Sequence, residues 1–135
     1  MRVVLDSNVI VAAFATRGIC SALFEYCVEN DEVVICEEML KEIEVALVRK
    51  VGVPRVVARD VSDYIRGHVE IVRSIEIGAD VCRDKTDLAV LGAALGAGCE
   101  YIVTGDADLL VVEKCRGVEI VSPRSYWEKT RRGTK

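Results

Sequence analysis

Short apolar runs alternate along this chain with stretches that carry a helical stripe, and this alternation constrains the fold more than any other feature. "RVVL" (2–5), "EVVIC" (32–36), "VEIVRSIEI" (69–77), "YIVT" (101–104) and "VEIV" (118–121) read as five strands. Between them the spacing predicts helices over 7–14, 21–31, 37–50, about 54–68 and 86–98. In 37–50, Met39, Leu40, Ile43, Ala46 and Leu47 form the i, i+3, i+4, i+7 stripe. Gly52 and Pro54 punctuate it, Pro54 standing at the first position of the next helix. Thr86 or Asp87 caps the 86–98 helix and Gly98 ends it. A short last helix starts near Ser122-Pro123. Strands in regular alternation with helices mean an α/β fold: a three-layer α/β/α sandwich around a central parallel sheet of about five strands. A chain of 135 residues makes one domain, here 1–130, with 131–135 as a loose tail.

In such a sheet, ligands sit beyond the carboxyl ends of the strands at a topological switch point. Asp6 directly follows the first strand and Asp106 the fourth, so neighbouring strands would bring both carboxylates to one cleft. Four acidic places stand out: Asp6 in "LDSNV", Glu42 on the helix after strand two, Asp84 and Asp87 in "RDKTD", and Asp106 and Asp108 in "TGDAD". Singly, Asp6, Asp87 and Asp106 read as helix caps, and Glu42 as a solvated residue at the core edge. Jointly they carry more weight. Carboxylates that share a cleft repel one another unless cations neutralise them. Oxygen-only ligands suit Mg²⁺ or Mn²⁺, and paired ions of this kind serve displacement at phosphorus.

These stretches resemble the PIN-domain family over almost the whole chain. "LDSNVIVAAF" resembles the family's Asp-(Thr/Ser)-Asn start, "CEEMLKEIEVAL" its acid-bearing helix, and "RDKTDLAVLGAALGAGCEYIVTGDADLL" its most specific stretch. The resemblance implies a metal-dependent ribonuclease whose catalytic and metal-holding quartet is Asp6, Glu42, Asp87 and Asp106. Asn8, Asp84, Thr104 and Asp108 are implied as supports. Many relatives carry Asp-Pro-Asp-Asp where this chain has Asp84-Lys85-Thr86-Asp87, so Lys85 adds a positive charge beside the site. The subgroup resembled is the prokaryotic one described as toxins of toxin–antitoxin pairs. That implies RNA as substrate, an antitoxin protein as partner and a homodimer. The apolar Val56, Val57, Val61, Tyr64 and Ile65 on the 54–68 helix offer a face for the second copy.

Composition trims the alternatives. A net charge of −4 argues against a protein that only grips nucleic-acid backbone. Arg17, Arg49, Lys50, Arg55, Arg131 and Arg132 remain as candidate phosphate contacts. Six cysteines without a C-x-x-C, and a lone His68, disfavour a zinc knuckle. No apolar run reaches the length of a membrane span and the start does not read as a signal peptide, so the expected location is the cytoplasm, away from membranes. "GAALGAG" falls inside a helix and is read as close packing on the sheet, not as a dinucleotide fingerprint. Two alternatives stand beside the nuclease: a catalytically weak PIN-like module that binds RNA or protein, and a receiver-type phospho-switch. The switch is disfavoured, because Asp6 is followed by Ser7-Asn8 and strand three leads to Gly78-Ala79-Asp80.

Overall fold

The structure, a computed structural model, describes residues 1–78 and 85–133. Its strands are β1 (Arg2–Leu5), β2 (Glu32–Cys36), β3 (Glu70–Val72), β4 (Tyr101–Val103), β5 (Lys114–Cys115) and β6 (Val118–Val121). Its helices are α1 (Ser7–Ala15), α2 (Ile19–Asn30), α3 (Glu37–Ala46), α4 (Arg55–His68), α5 (Lys85–Gly96), α6 (Ala107–Leu110) and α7 (Pro123–Gly133). The strands form one sheet in the order β3-β2-β1-β4-β6-β5, parallel except for β5 against β6. The fold is α/β, as the alternation predicts.

The central strands are unbroken apolar runs because helices cover them on both faces. Val3, Val4 and Leu5 of β1 are wholly buried, as are Val34, Ile35 and Cys36 of β2 and Ile102 and Val103 of β4. Helix α5 packs on β1, β2 and β4, α1 packs on α2 and α3, and α7 packs on α2. The aromatics of the last helix serve that packing: Tyr126 is buried and donates its hydroxyl hydrogen to Asp31 at 2.8 Å, while Trp127 lies edge-on to Tyr26. Cys27, Cys36, Cys99 and Cys115 are buried free thiols and Cys20 is half-buried; Cys82 lies outside the described residues. Among the described residues, no single helix is long and apolar enough to cross a membrane.

The structure departs from the sequence reading in several places. The sheet has six strands, because two-residue β5 forms a hairpin with β6 through Arg116 and Gly117, both at positive φ. Its "KC" has no apolar run to announce it. The strand expected over 69–77 pairs only at Glu70–Val72. Its continuation leaves β2 for α5: Ser74 Oγ donates to the Ala89 carbonyl at 2.9 Å and Ile75 N–H to the Gly92 carbonyl at 3.3 Å. Glycine is required at that approach, since a Cβ on Gly92 would collide with the Ile75 carbonyl and Ser74 Oγ. The helix expected over 37–50 ends at Ala46 and widens into a π turn, Leu47–Val51. Gly52, at φ 89°, closes that turn, and the N–H groups of Gly52 and Val53 both donate to the Leu47 carbonyl. Pro54 caps α4 from outside, in extended backbone, one position earlier than expected. Ile65, counted with the apolar face of that helix, is wholly buried; Val56, Val57 and Tyr64 remain exposed. Helix α7 continues through Gly133, beyond the expected start of the tail.

Candidate active site at the switch point

The chain runs outward from β1 to β2 and β3, then returns to lay β4 on the other side of β1. The switch point is therefore the crevice between β1 and β4. Leu5 is in register with Val103, and the Asp6 N–H donates to the Val103 carbonyl at 2.9 Å. Asp6 and Thr104 thus leave the same edge of the sheet side by side.

Asp6 is the N-cap of α1 and only 4% exposed. Its Oδ1 accepts from Ser7 N–H at 2.7 Å and its Oδ2 from Thr104 Oγ1 at 2.6 Å. Thr104 is wholly buried, and its hydroxyl oxygen accepts from Asp106 N–H at 3.0 Å. One threonine therefore ties the two aspartates together. Asp106 in turn caps α6, its Oδ1 accepting from Asp108 N–H at 2.9 Å. The cap reading of Asp6 and Asp106 and the shared-cleft reading describe the same residues, because the carboxyl ends of β1 and β4 are also the starts of α1 and α6.

Burial pushes the Asp6 carboxyl above its ordinary range. The bonds from Thr104 and Ser7 oppose that shift, while the charges of Glu42 and Asp106 add to it. Asp6 thus feels two of the other three acids across the crevice. Among the described residues, ion pairs join the Met1 amine to Asp31, Arg2 to Glu32 and Glu70, and Arg66 to Glu37, all away from Asp6.

The remaining sequence candidates fall as follows. Glu42 lies on α3, half-buried, on the wall of a groove that it shares with Ser7 and Asn8. Asp87 is 4% exposed in the first turn of α5, the helix laid on β1, β2 and β4. Asn8 and Asp108 are exposed. Asp84 lies outside the described residues, as does the cap position of α5. Among the described residues, no three His, Cys, Asp or Glu side chains stand close enough together to enclose one ion. The donor set nonetheless fits a hard divalent cation that keeps part of its own water. It consists of carboxylate oxygens, with Asp6 tied to the Asp106 backbone through Thr104.

Two features escaped the sequence reading. Ser7, named there only as the residue after Asp6, is 2% exposed, and its Oγ has no hydrogen-bond partner among the described residues. The groove beside it runs from Glu42 past Val45 and Ala46 to Arg49 and Lys50. The signal was available: residues 42, 45, 46 and 49 share one helix face by the i, i+3, i+4, i+7 rule.

No curated protein matches the chain. Among solved structures, it is similar to a chain of VapBC2 from Rickettsia felis, a structure bound to a DNA fragment from the promoter. The identity is 14% over 90% of this chain and 98% of that one, with a TM-score of 0.63. It is also similar to PAE2754 from Pyrobaculum aerophilum, 14% identical over 96% of this chain and 88% of that one, with a TM-score of 0.65. Both likenesses are of fold. At the level of sequence, a family model described as "PIN domain" matches residues 2–108, which takes in the β1–β4 crevice and every acid around it. The chain belongs to the PIN domain family.

Proposed function

We propose that this protein is a metal-dependent ribonuclease that hydrolyses RNA phosphodiester bonds at the β1–β4 crevice. PIN domains are generally nucleases that use divalent metal ions. The observation that carries the reading for this chain is the buried carboxylate of Asp6, bonded through Thr104 to the Asp106 backbone and disfavoured in its charged form by burial and by Glu42 and Asp106. Folding holds these groups together against their repulsion, which a bound cation relieves.

Asp6, Glu42, Asp87 and Asp106 would hold Mg²⁺ or Mn²⁺, which when bound supplies charge neutralisation at the phosphate and activation of water. Thr104 fixes Asp6 and the backbone of Asp106, and so sets the spacing of the two carboxylates. Asn8, Asp84 and Asp108 serve as supports. Water is the nucleophile, not the RNA's 2′-hydroxyl, because His68 is the chain's one histidine and no pair exists for acid–base cleavage. The products carry a 5′-phosphate and a 3′-hydroxyl.

The likeness to a VapBC2 chain supports a more specific role, the toxin half of a toxin–antitoxin pair in the cytoplasm. That role brings an antitoxin as partner. Exposed Val56, Val57 and Tyr64 on α4, with Phe14 edge-on to Tyr64, support a homodimer. One observation favours a second reading, a PIN-like binding module with little catalysis: no three metal-capable side chains among the described residues form a ready-made cage. Incubating the protein with single-stranded RNA in Mn²⁺ and in EDTA separates the two. Cleavage that needs the ion and leaves 5′-phosphate ends fits the nuclease. Binding without cleavage fits the module, and cyclic 2′,3′-phosphate ends contradict the proposed chemistry.

A further inference from the structure

The groove between α1 and α3 leads out of the acidic crevice and ends among cations. It has a volume of about 470 Å³, within the range of sites that take a small molecule or one unit of a polymer. Ser7 and Glu42 stand at the crevice end. Val11 and Ala12 of α1 and Val45 and Ala46 of α3 line its middle, and Val45 is left 51% exposed. Arg49 and Lys50 stand at the far end, on the π turn, and neither makes an ion pair among the described residues. Arg49 also borders a second hollow with Arg55 and Arg59, together with Glu44. A chain of net charge −4 thus gathers unpaired cations at one end of a groove whose other end is acidic.

We infer that this groove seats the RNA nucleotide that flanks the scissile phosphate, its base against the Val45–Ala46 wall and its phosphate on Arg49 and Lys50. The inference rests on the nuclease reading for what lies at the acidic end. Three features point to a nucleotide. The walls are apolar where a base would lie, and a base offers two flat faces to such a surface. The cations sit where a backbone phosphate would follow. Ser7 Oγ, buried at the groove and without a hydrogen-bond partner among the described residues, is a polar atom that a sugar hydroxyl or base edge would satisfy. The π turn contributes directly. Its wider winding carries two consecutive cations at the end of α3, and such turns are frequent at functional sites. Arg49 lies two turns beyond Glu42 on the same face, roughly 10 Å along the axis.

The test is binding of a fluorescein-labelled single-stranded RNA decamer, followed by anisotropy in EDTA so that no cleavage intervenes. The Arg49→Ala/Lys50→Ala double variant should weaken binding about tenfold or more, and lower the log–log salt slope by roughly 0.7, the value for one lost phosphate contact on a single strand. Ala46→Phe, which fills the groove without touching charge, should weaken binding severalfold with the salt slope unchanged. Both substituted cations are exposed, so folding of the double variant is not at risk, and circular dichroism checks Ala46→Phe. Parental affinity in both variants would overturn the inference and leave the groove to a protein segment. Loss in both variants, with a parent that binds RNA yet never cleaves it in Mn²⁺, would support the groove and sink the nuclease reading. Cleavage by a parent whose variants bind unchanged would do the reverse.

Discussion

The two ends of β1 handle charge in opposite ways. At its start, Arg2 reaches across the sheet to Glu32 of β2 and Glu70 of β3, and its Nε–H also donates to the Ala97 carbonyl at 2.9 Å. The two glutamates hold the guanidinium above even arginine's ordinary range. Every charge there has its opposite within reach. Just past the other end of the strand, Asp6 is buried, carries the added repulsion of Glu42 and Asp106, and makes no ion pair among the described residues. At one end of the strand the chain supplies its own counter-charges; at the other, the proposed ion would supply them. A protein that needed Asp6 only as a cap would gain by keeping Glu42 and Asp106 away from it.

The largest effect should come from removing one charge at the open edge. Asp106→Asn keeps the α6 cap oxygen and the shape, and is expected to lower Mn²⁺-dependent RNA cleavage by about 10²-fold or more, because charge stabilisation at phosphorus is lost. The rate of cleavage of a labelled single-stranded RNA measures it. A variant within a few-fold of the parent would reduce Asp106 to a helix cap.

A second effect follows from the Asp6 carboxyl being pushed upward, and its sign is fixed by linkage. A raised native value means that the unfolded chain gives up its proton first as pH rises. Stability therefore falls as pH climbs above the ordinary carboxylate range, because the native state bears a cost for the charged form that the unfolded chain does not. The shift already includes the opposing bonds from Thr104 and Ser7, so the charged form is disfavoured on balance. In EDTA at pH 7, Asp6→Asn should melt a few degrees above the parent, and the gap should close toward pH 4. Thermal melts across that range check it; a variant less stable at pH 7 than at pH 4, relative to the parent, would show that the Thr104 bond outweighs the repulsion.

The smallest effect belongs to the finished edge. Arg2→Ala should cost no more than about 1 kcal/mol, since its ion pairs are solvent-accessible, and should leave RNA cleavage unchanged. Were the bared Glu32 and Glu70 then to bind Mn²⁺ as the parental crevice does, the contrast between the edges would mean little.

The contrast was half legible in the sequence. The β/α alternation, with acids directly after two apolar runs, was enough to predict a shared cleft, because in a parallel sheet every strand's carboxyl end faces the same way. That β1 and β4 adjoin is a fact of strand order, which local pattern does not carry. Thr104 was legible as a support, but its position between Asp6 and the Asp106 backbone depends on the Leu5–Val103 register. Strand β5 was invisible because two residues have no periodicity, and the π turn because Leu47 continues the apolar stripe through it. Asp84, read as a support, lies outside the described residues.

The central claim is that the β1–β4 crevice is left negative for a divalent ion. Thermal melting with and without Mn²⁺, on the parent and on Asp106→Asn, tests it without reference to any substrate. An ion that binds only the native state adds about 2.7 kcal/mol at a hundred times its dissociation constant, which raises the melting temperature of a domain this size by roughly 10 °C. The expected result is that rise for the parent, with most of it lost in Asp106→Asn. No rise in the parent, or an equal rise in both, would contradict it.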